Sequence, residues 1–294
     1  MLSLPLAAIL LSVCSGLGFG AADYFRKAVP SDASPFLIMF YFIAGQIPVL
    51  AAWLAISGQA TFTNAYWLPG SAAAVAGFFA NVLFIVAIRR SPLSVIIPVL
   101  SLVPVMTALF GALILGERIS SQQLSGIVLV VMGLAFVLAP ANATSPAGLV
   151  GNIVREPGLP PMLAAGTCWS LTPAFDKLAV AAASVPIHAI IQVSALMIAS
   201  GCWLMVTGGP RSLVPDRRAV LPLAGAALGA GLAYASQLAA YMAAPVAVVE
   251  LIKRVTSMAS ALIVGRAMLK ERVTWSKTIG IIIIALGLPL VLLG

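Results

Sequence analysis

Residues 115–138 read LGERISSQQLSGIVLVVMGLAFVL, and residues 269–292 read LKERVTWSKTIGIIIIALGLPLVL. At a fixed offset of 154 positions, nine residues of the two stretches are identical, among them the Glu-Arg pairs and two glycines seven residues apart. The offset is slightly more than half of the 294-residue chain. The sequence therefore predicts a duplication over the whole length, a plan that is typical of membrane transporters with internal repeats.

Composition places the chain in a membrane. Hydrophobic residues make up 62% of it and charged residues 8%, whereas soluble domains carry about 25% charge. The net charge of +8 comes mainly from basic residues at the ends of apolar runs, where membrane topology and lipid headgroups account for them. Because no basic stretch carries interleaved aromatic residues, we expect no nucleic-acid partner. The N-terminus lacks a basic region, which favours a first spanning helix over a cleaved signal peptide.

Ten stretches are long and apolar enough for a membrane helix, which needs about 20 such residues. They cover residues 4–22, 35–57, 67–88, 91–115, 122–140, 160–180, 186–207, 219–243, 245–269 and 274–293. The longest break, at 141–159, predicts a linker between a first repeat at 1–140 and a second at 160–294. Since five helices per repeat is an odd number, the second repeat must insert upside down. The expected fold is an all-α integral membrane protein with ten transmembrane helices in two inverted five-helix repeats.

Two of these stretches carry a family resemblance. Residues 91–120, SPLSVIIPVLSLVPVMTALFGALILGERIS, resemble the fourth helix of EamA-type members of the drug/metabolite transporter superfamily, where a proline-containing helix ends in a Gly-Glu-Arg turn. Residues 244–274, APVAVVELIKRVTSMASALIVGRAMLKERVT, resemble the ninth helix. The resemblance implies a ten-helix, multi-pass transporter of the cell inner membrane, in a family whose substrates range from amino acids to drugs. Small multidrug members carry a proton-coupling Glu in helix 1, but residues 12–22 contain none, which argues against proton-driven export of cationic drugs.

The distribution of basic residues predicts an orientation. Loops after the odd-numbered stretches hold Arg26, Lys27, Arg89, Arg90, Arg155, Arg211, Arg217, Arg218, Lys270, Arg272 and Lys277. The opposite side holds Arg118 and Lys177. The positive-inside rule places both termini outside, whereas resemblance to amino-acid exporters implies that both lie inside. We let the charge count lead.

Glu250, Lys253 and Arg254 form the candidate substrate site. They lie within the ninth stretch, about 8–14 Å from its start, on a helical face that continues to Ser257. Charges at this depth cost at least about 2.5–3.5 kcal/mol each and usually face a cavity or a partner. The corresponding residues 97–101 of the fourth stretch carry no charge, so a purely structural repeat would not need them.

This charged face suggests how a substrate would bind. Arg254 or Lys253 would attract a carboxylate or another anionic group, and Arg254 can do so with two parallel hydrogen bonds. Glu250 would hold the unused cation or meet a substrate amine. The alternative is an internal salt bridge that locks the helix and makes no substrate contact.

Further candidates are polar or kink-forming residues inside apolar stretches. Side chains that could bind substrate, or instead hydrogen-bond between helices, are Trp169, Tyr234, Asn81 and Gln237. Pro98 and Pro104 each remove a backbone hydrogen bond from the fourth stretch, which makes them either hinges or static bends.

Charges that close the first and sixth stretches are candidate gates on opposite membrane faces: Asp23, Lys27, Asp176 and Lys177. The alternative is that they snorkel toward the headgroups. We expect Glu271 to be structural, and the lone histidine, His188, to be exposed at the interface.

Small residues predict where helices pack closely. Gly126 and Gly133 repeat the seven-residue step of Gly280 and Gly287, and a further pair, Gly225 and Gly229, lies in the eighth stretch. Glycine lets neighbouring backbones approach, so these positions predict contact surfaces rather than chemistry.

The sequence contains no catalytic constellation: no Ser-His-Asp set, no Walker phosphate loop, no HExxH and no paired deep carboxylates. Three cysteines without CxxC spacing predict neither a disulfide framework nor a metal site. We therefore expect a non-enzymatic secondary transporter without a cofactor, a monomer or homodimer in the bilayer, which exports a small polar metabolite such as an amino acid or related carboxylate by alternating access. Two alternatives stay open: a flippase or exporter for a phosphate-bearing or lipid-linked substrate, and a non-transporting membrane scaffold.

Overall fold

The computed structural model describes residues 5–58, 60–115, 119–139, 156–244 and 246–293. Glu117, Arg118 and most of the predicted linker lie outside these ranges, as does the side chain of Lys177. The described helices are α1 (Leu6–Ala28), α2 (Pro35–Ala44), α3 (Ile47–Ser57), α4 (Trp67–Arg90), α5 (Leu93–Ile96), α6 (Leu102–Leu115), α7 (Ser121–Leu138), α8 (Leu159–Val180), α9 (Val185–Gly208), α10 (Arg217–Ala243), α11 (Val246–Ala267) and α12 (Trp275–Leu293). Short 3-10 turns cover Asn64–Tyr66, Ile97–Ser101 and Pro210–Leu213.

The all-helical, membrane-spanning character that the composition predicts is confirmed. Seven segments of the described chain are long and apolar enough to cross a membrane: Leu6–Ala28, Pro35–Ser57, Asn64–Arg90, Ser121–Leu138, Val185–Gly208, Arg217–Gln237 and Trp275–Leu293. Among the other helices, α11 carries the charges of the candidate site. The chain is a multi-pass membrane protein.

Two predicted helices are interrupted, and in each case a proline explains the break. The second stretch is divided because α2 ends at Ala44, four residues before Pro48, which has no N–H to bond the Ala44 carbonyl. The fourth stretch is divided at the 3-10 turn that contains Pro98. Pro104 causes no break, because it lies in the first turn of α6, where no backbone N–H needs a helical partner.

Glycines at the predicted seven-residue step hold α7 against α12. A Cβ atom at Gly133 would lie 2.6 Å from the Gly280 carbonyl oxygen, and one at Gly126 would lie 2.8 Å from that of Gly287. Along this contact the residue numbers on α12 decrease as those on α7 increase, so the two helices are antiparallel. Each glycine of one copy thus meets the other glycine of the second copy. This confirms the predicted contact surface.

The first predicted stretch of each repeat packs on the third predicted stretch of the other repeat. In the structure, α1 thus contacts α10, and α8 contacts α4. On α10, a Cβ at Gly225 would lie 2.6 Å from the Phe25 ring, and one at Gly229 would lie 3.1 Å from the Gly18 carbonyl oxygen. The predicted small-residue surface of α10 is therefore the surface that contacts α1. These cross-contacts bring both repeats around a shared centre.

Helix ends of the two repeats meet in two polar clusters, which we call the bridge end and the basic end. At the bridge end, Phe62 and Ala183 form an isolated antiparallel bridge between the loop before α4 and the loop after α8. At the basic end, Lys27 on α1 and Glu271 after α11 form an ion pair of 3.5 Å. Both clusters join residues of the first repeat to residues of the second.

Candidate functional site

The ammonium group of Lys253 on α11 is the point at which three helices meet. Its Nζ atom forms an ion pair with Glu250 Oε1 one turn earlier and donates a hydrogen bond to Oε1 of Gln237 on α10 at 3.0 Å. It also lies 5.8 Å from the ring centroid of Phe19 on α1, within cation–π range. Because α1 belongs to the first repeat and α10 and α11 to the second, this group lies between the repeats.

The close approach of α1 to this group has a steric cause. A Cβ atom at Gly16 would lie 2.8 Å from the Lys253 carbonyl oxygen and 2.7 Å from Thr256 Cβ, so a larger residue would push α1 away. The Lys253 and Glu250 side chains are 15% and 27% exposed. Pairing compensates each charge within apolar surroundings, which lowers the cost of holding both at this depth.

The structure brings together only part of the predicted site. Glu250, Lys253 and Gln237 are in direct contact, while Arg254 and Ser257 are half-buried nearby on α11. Phe19 joins the group although no sequence signal singled it out, because the first stretch is apolar throughout.

The other candidates lie on neighbouring helices in their own contacts. The Trp169 ring on α8 packs on the Phe84 ring of α4 at a centroid distance of 5.4 Å. Asn81 donates to the Gly77 carbonyl oxygen on its own helix at 2.8 Å. Tyr234 packs against the apolar core formed by α1, α2, α9 and α10. These three are placed by packing, and their contact with a substrate remains a prediction.

Two cavities open elsewhere in the described chain. One of about 340 Å³ lies between α4 and α9 and is lined mainly by apolar side chains such as Val75, Phe79 and Leu196. The other, of about 380 Å³, lies at the basic end and is lined by Lys27, Arg89 and Glu271 among others. Lys253 lines neither of them, and its ammonium group is occupied by Glu250 and Gln237.

At the basic end, the predicted gate residue Lys27 has partners on two other elements. It donates to the Ser91 carbonyl oxygen and pairs with Glu271. Glu271 accepts hydrogen bonds from the backbone N–H groups of Leu93 at 2.8 Å and Ser94 at 3.0 Å, so it caps the start of α5 as well. The structural role predicted for Glu271 is confirmed.

Asp23 is buried rather than snorkelling. It pairs with Arg26 on its own helix, and the two residues are only 5% and 4% exposed. The Arg26 guanidinium lies over the rings of Phe42 and Phe84, 4.1 and 4.5 Å from their centroids. The snorkelling alternative is therefore wrong for Asp23, because α1 continues to Ala28 and carries this pair into the protein core.

At the bridge end, the expectation of an exposed His188 is wrong. His188 is 8% exposed, and its ring nitrogens contact Tyr66 Oη at 3.0 Å and Asp176 Oδ1 at 3.1 Å. Asp176 is thus a partner of the histidine, while the side chain of Lys177 lies outside the described part. No sequence pattern predicts this contact, because Tyr66 precedes the predicted third helix and is far from His188 in the chain.

Comparisons with known proteins agree with this architecture. The model of the EamA-like transporter family matches twice, at residues 6–139 and 157–293, which together account for nearly the whole chain. One solved structure, described as "Crystal structure of protein", has a TM-score of 0.63 at 17% sequence identity and covers 96% of this chain and 95% of its own. At that identity it supports the fold alone. No curated protein matches the sequence significantly.

Proposed function

Because this chain belongs to the EamA-like transporter family, we propose that it is a secondary transporter of the cell inner membrane that exports a small zwitterion, most directly an amino acid. The observation that carries the proposal is the Lys253–Glu250 ion pair, held where α1, α10 and α11 meet. The proposed arrangement is ten membrane helices in two inverted repeats, at 1–140 and 160–294, acting as a monomer or homodimer without a cofactor.

An ion pair at this depth favours a zwitterion over a simple anion. If a bare carboxylate took Lys253 from Glu250, the glutamate would lose the cation with which it pairs in this structure, and two anions would share one low-dielectric site, which is costly. A zwitterion offers both charges, so its carboxylate can bind Lys253 while its ammonium group binds Glu250. The site then exchanges one compensated pair for two, and no charge is left without a partner.

Neighbouring residues would position the substrate. Gln237, which accepts a hydrogen bond from Lys253 in this structure, would keep the ammonium group aimed between the helices. Arg254 would supply a second cation for the carboxylate. Ser257 on α11, Trp169 on α8, Tyr234 on α10 and Asn81 on α4 are proposed to line the path of the substrate.

Alternating access is supported by the contacts between the repeats. The reciprocal glycine contacts of α7 and α12 are the pattern that a two-fold axis produces, and the opposite helix directions place that axis in the membrane plane. Lys27, which pairs with Glu271 in this structure, would gate the basic end, and Asp176 the bridge end. The 3-10 turn at Pro98 would act as the hinge between α5 and α6.

Replacing Lys253 with Met is expected to reduce zwitterion transport at least about tenfold, because the carboxylate loses its main charge-assisted hydrogen bond. The measurement is uptake by proteoliposomes of a panel: neutral amino acids, matched carboxylates without the amine, matched amines without the carboxylate, and phosphate esters. Wild-type protein should take up the amino acids and prefer them to both partial analogues.

Matched variants separate a binding role from a structural one. Arg266→Met removes an exposed basic residue from the same helix and should leave uptake unchanged. Glu250→Gln should lose selectivity for the amine-bearing substrate. If Lys253→Met and Arg254→Ala both transported at the wild-type rate, the proposed site would be wrong.

The phosphate-bearing alternative rests on the same part of α11, where the cations of Lys253 and Arg254 are adjacent in the sequence. Uptake of phosphate esters in preference to amino acids would favour that alternative. A panel without any uptake by protein that is folded and correctly inserted would favour the scaffold.

A further inference from the structure

A chain of hydrogen bonds crosses between the repeats at the bridge end. Tyr66 lies just before α4 in the first repeat, and its Oη atom is 3.0 Å from His188 Nδ1 on α9. His188 Nε2 is 3.1 Å from Asp176 Oδ1 on α8. Gln192, one turn after the histidine, donates to Tyr66 Oη at 3.2 Å and to the Gly70 carbonyl oxygen at 2.8 Å. Of these bonds, the one between Tyr66 and His188 and the two donated by Gln192 join the two repeats, whereas the His188–Asp176 bond lies within the second.

The chemistry of these groups fixes the direction of each bond. An ionised Asp176 can only accept, so the proton of a neutral imidazole must sit on Nε2. Nδ1 is then an acceptor, and the Tyr66 hydroxyl must donate to it. The Tyr66 oxygen in turn accepts from the Gln192 amide. In this arrangement each of these four side chains has a compatible partner.

The Tyr66–His188 bond lies beside a seam of backbone hydrogen bonds. Thr63 N donates to the Ala182 carbonyl oxygen at 2.8 Å, and Ser184 N donates to that of Thr61 at 2.9 Å. Tyr66 is 1% exposed and packs with Ala179 and Ala183. The two repeats are thus held together at the bridge end by one polar seam with a buried tyrosine beneath it.

We propose that His188 is a proton-binding site that controls this seam, and that its protonation opens the bridge end. A second proton would make Nδ1 a donor, so the buried Tyr66 hydroxyl would lose its acceptor across the repeats. The same proton strengthens the His188–Asp176 bond, which lies entirely within the second repeat. Protonation therefore leaves the hydroxyl proton of the buried Tyr66 without an acceptor, because the Tyr66 oxygen then accepts from both His188 Nδ1 and the Gln192 amide. A buried donor without an acceptor is costly, which favours opening of the seam. The meaning of this opening for transport rests on the proposed function.

The surroundings allow this proton to arrive and to act. Imidazole is the side chain whose ordinary charge change falls between pH 5 and 8. The Asp176 side chain is 42% exposed, so it offers a route to His188. The titratable groups that face the histidine in the described chain are Asp176 from α8 and Tyr66 from the turn before α4.

Hydrogen exchange of the seam amides tests the proposal without any substrate. Mass spectrometry would follow peptides that contain Thr63 and Ser184 at pH 5 and pH 8, with rates corrected for intrinsic exchange. In wild-type protein, protection at these amides should be about tenfold lower at pH 5 than at pH 8, the effect expected when one buried hydroxyl is left without an acceptor.

Three variants give separate expectations. His188→Gln can still accept from Tyr66 and donate to Asp176 but cannot take up a proton, so its seam should stay protected at both pH values. Tyr66→Phe lacks the bond to His188 at either pH, so its seam should show the lower protection at both. Tyr41→Phe, which removes a comparable hydroxyl bonded to the Leu213 carbonyl oxygen at 3.1 Å, should behave like wild type.

The proposal would be overturned if His188→Gln lost as much protection at pH 5 as wild-type protein does. Full protection of wild-type protein at pH 5 would overturn it as well. Because no cargo is needed, failure of the Lys253 site would leave this result unchanged. Conversely, a pH-insensitive seam in a protein that transports amino acids would reject the proton site alone.

Discussion

Replacing Asp23 with Ala is expected to lower the free energy of unfolding by about 3–5 kcal/mol, the usual cost of breaking a buried ion pair by removing one partner. The variant leaves the Arg26 cation between the rings of Phe42 and Phe84 with no anion to compensate it. Its Nε atom already has no hydrogen-bond partner in the described chain, so the remaining guanidinium group would be poorly satisfied. Thermal unfolding of the purified protein in detergent measures the effect.

The double variant Asp23→Leu/Arg26→Met tests whether the loss of stability comes from the unpaired charge or from the lost side-chain volume. Removing both charges while keeping similar volume should recover most of the loss, since a buried ion pair and well-packed apolar residues are often equal in stability. Equal losses in the single and double variants would contradict this explanation, because they would show that contacts other than the charges hold α1 in place.

The sequence predicts well those features that depend on local patterns, such as helix boundaries and the spacing of small residues. The boundaries of α7, α9 and α12 lie within two residues of the predicted stretches, because an apolar run bounded by charges and turn residues marks a membrane helix directly. The glycine step shared by α7 and α12 also identified the surface of contact, since close packing requires a missing side chain at regular spacing.

Interruptions and long-range pairs were harder to predict. The break at Gly45 follows from Pro48, but a proline inside an apolar run also occurs in continuous membrane helices, so composition alone does not decide. Gly45 additionally lies against α10, where a Cβ at Gly231 would be 2.7 Å from the Gly45 carbonyl oxygen. That contact joins two distant parts of the chain and has no signature in either.

The candidate sites show the same division. Glu250 and Lys253 could be paired from helix geometry, because residues three apart share a face, and the structure places them in contact. Their neighbour Phe19 and the Tyr66–His188 contact depend on which helices become adjacent. A histidine at a helix start indicates an interfacial position by itself, and only the packing of α4, α8 and α9 makes it buried.

The double variant Gly133→Ala/Gly280→Ala is expected to destabilise the protein by at least about 1–3 kcal/mol, the usual cost of overpacking at one site. The two costs need not add, because both methyl groups clash at the same crossing of α7 and α12. At Gly133 the new methyl would meet the Gly280 carbonyl oxygen at 2.6 Å, and at Gly280 it would meet the Gly133 oxygen at 2.5 Å. Because the obstacles are backbone atoms, no rotamer change can relieve them, and α7 must move away from α12. Thermal unfolding in detergent, with size-exclusion chromatography to detect misfolded protein, would measure the loss.

The control is a second pair of helix glycines with free space around them. A Cβ at Gly77 would approach only Leu196 side-chain atoms, at 3.9 Å, and one at Gly166 would meet Val103 at 3.5 Å. Gly77→Ala/Gly166→Ala should therefore keep or raise the stability, because alanine is favoured over glycine within a helix by about 1 kcal/mol. The two double variants make the same chemical change in helices that belong to different repeats. Opposite signs would assign the loss to the α7–α12 crossing, whereas similar losses would show that glycine is needed for a reason other than close backbone contact.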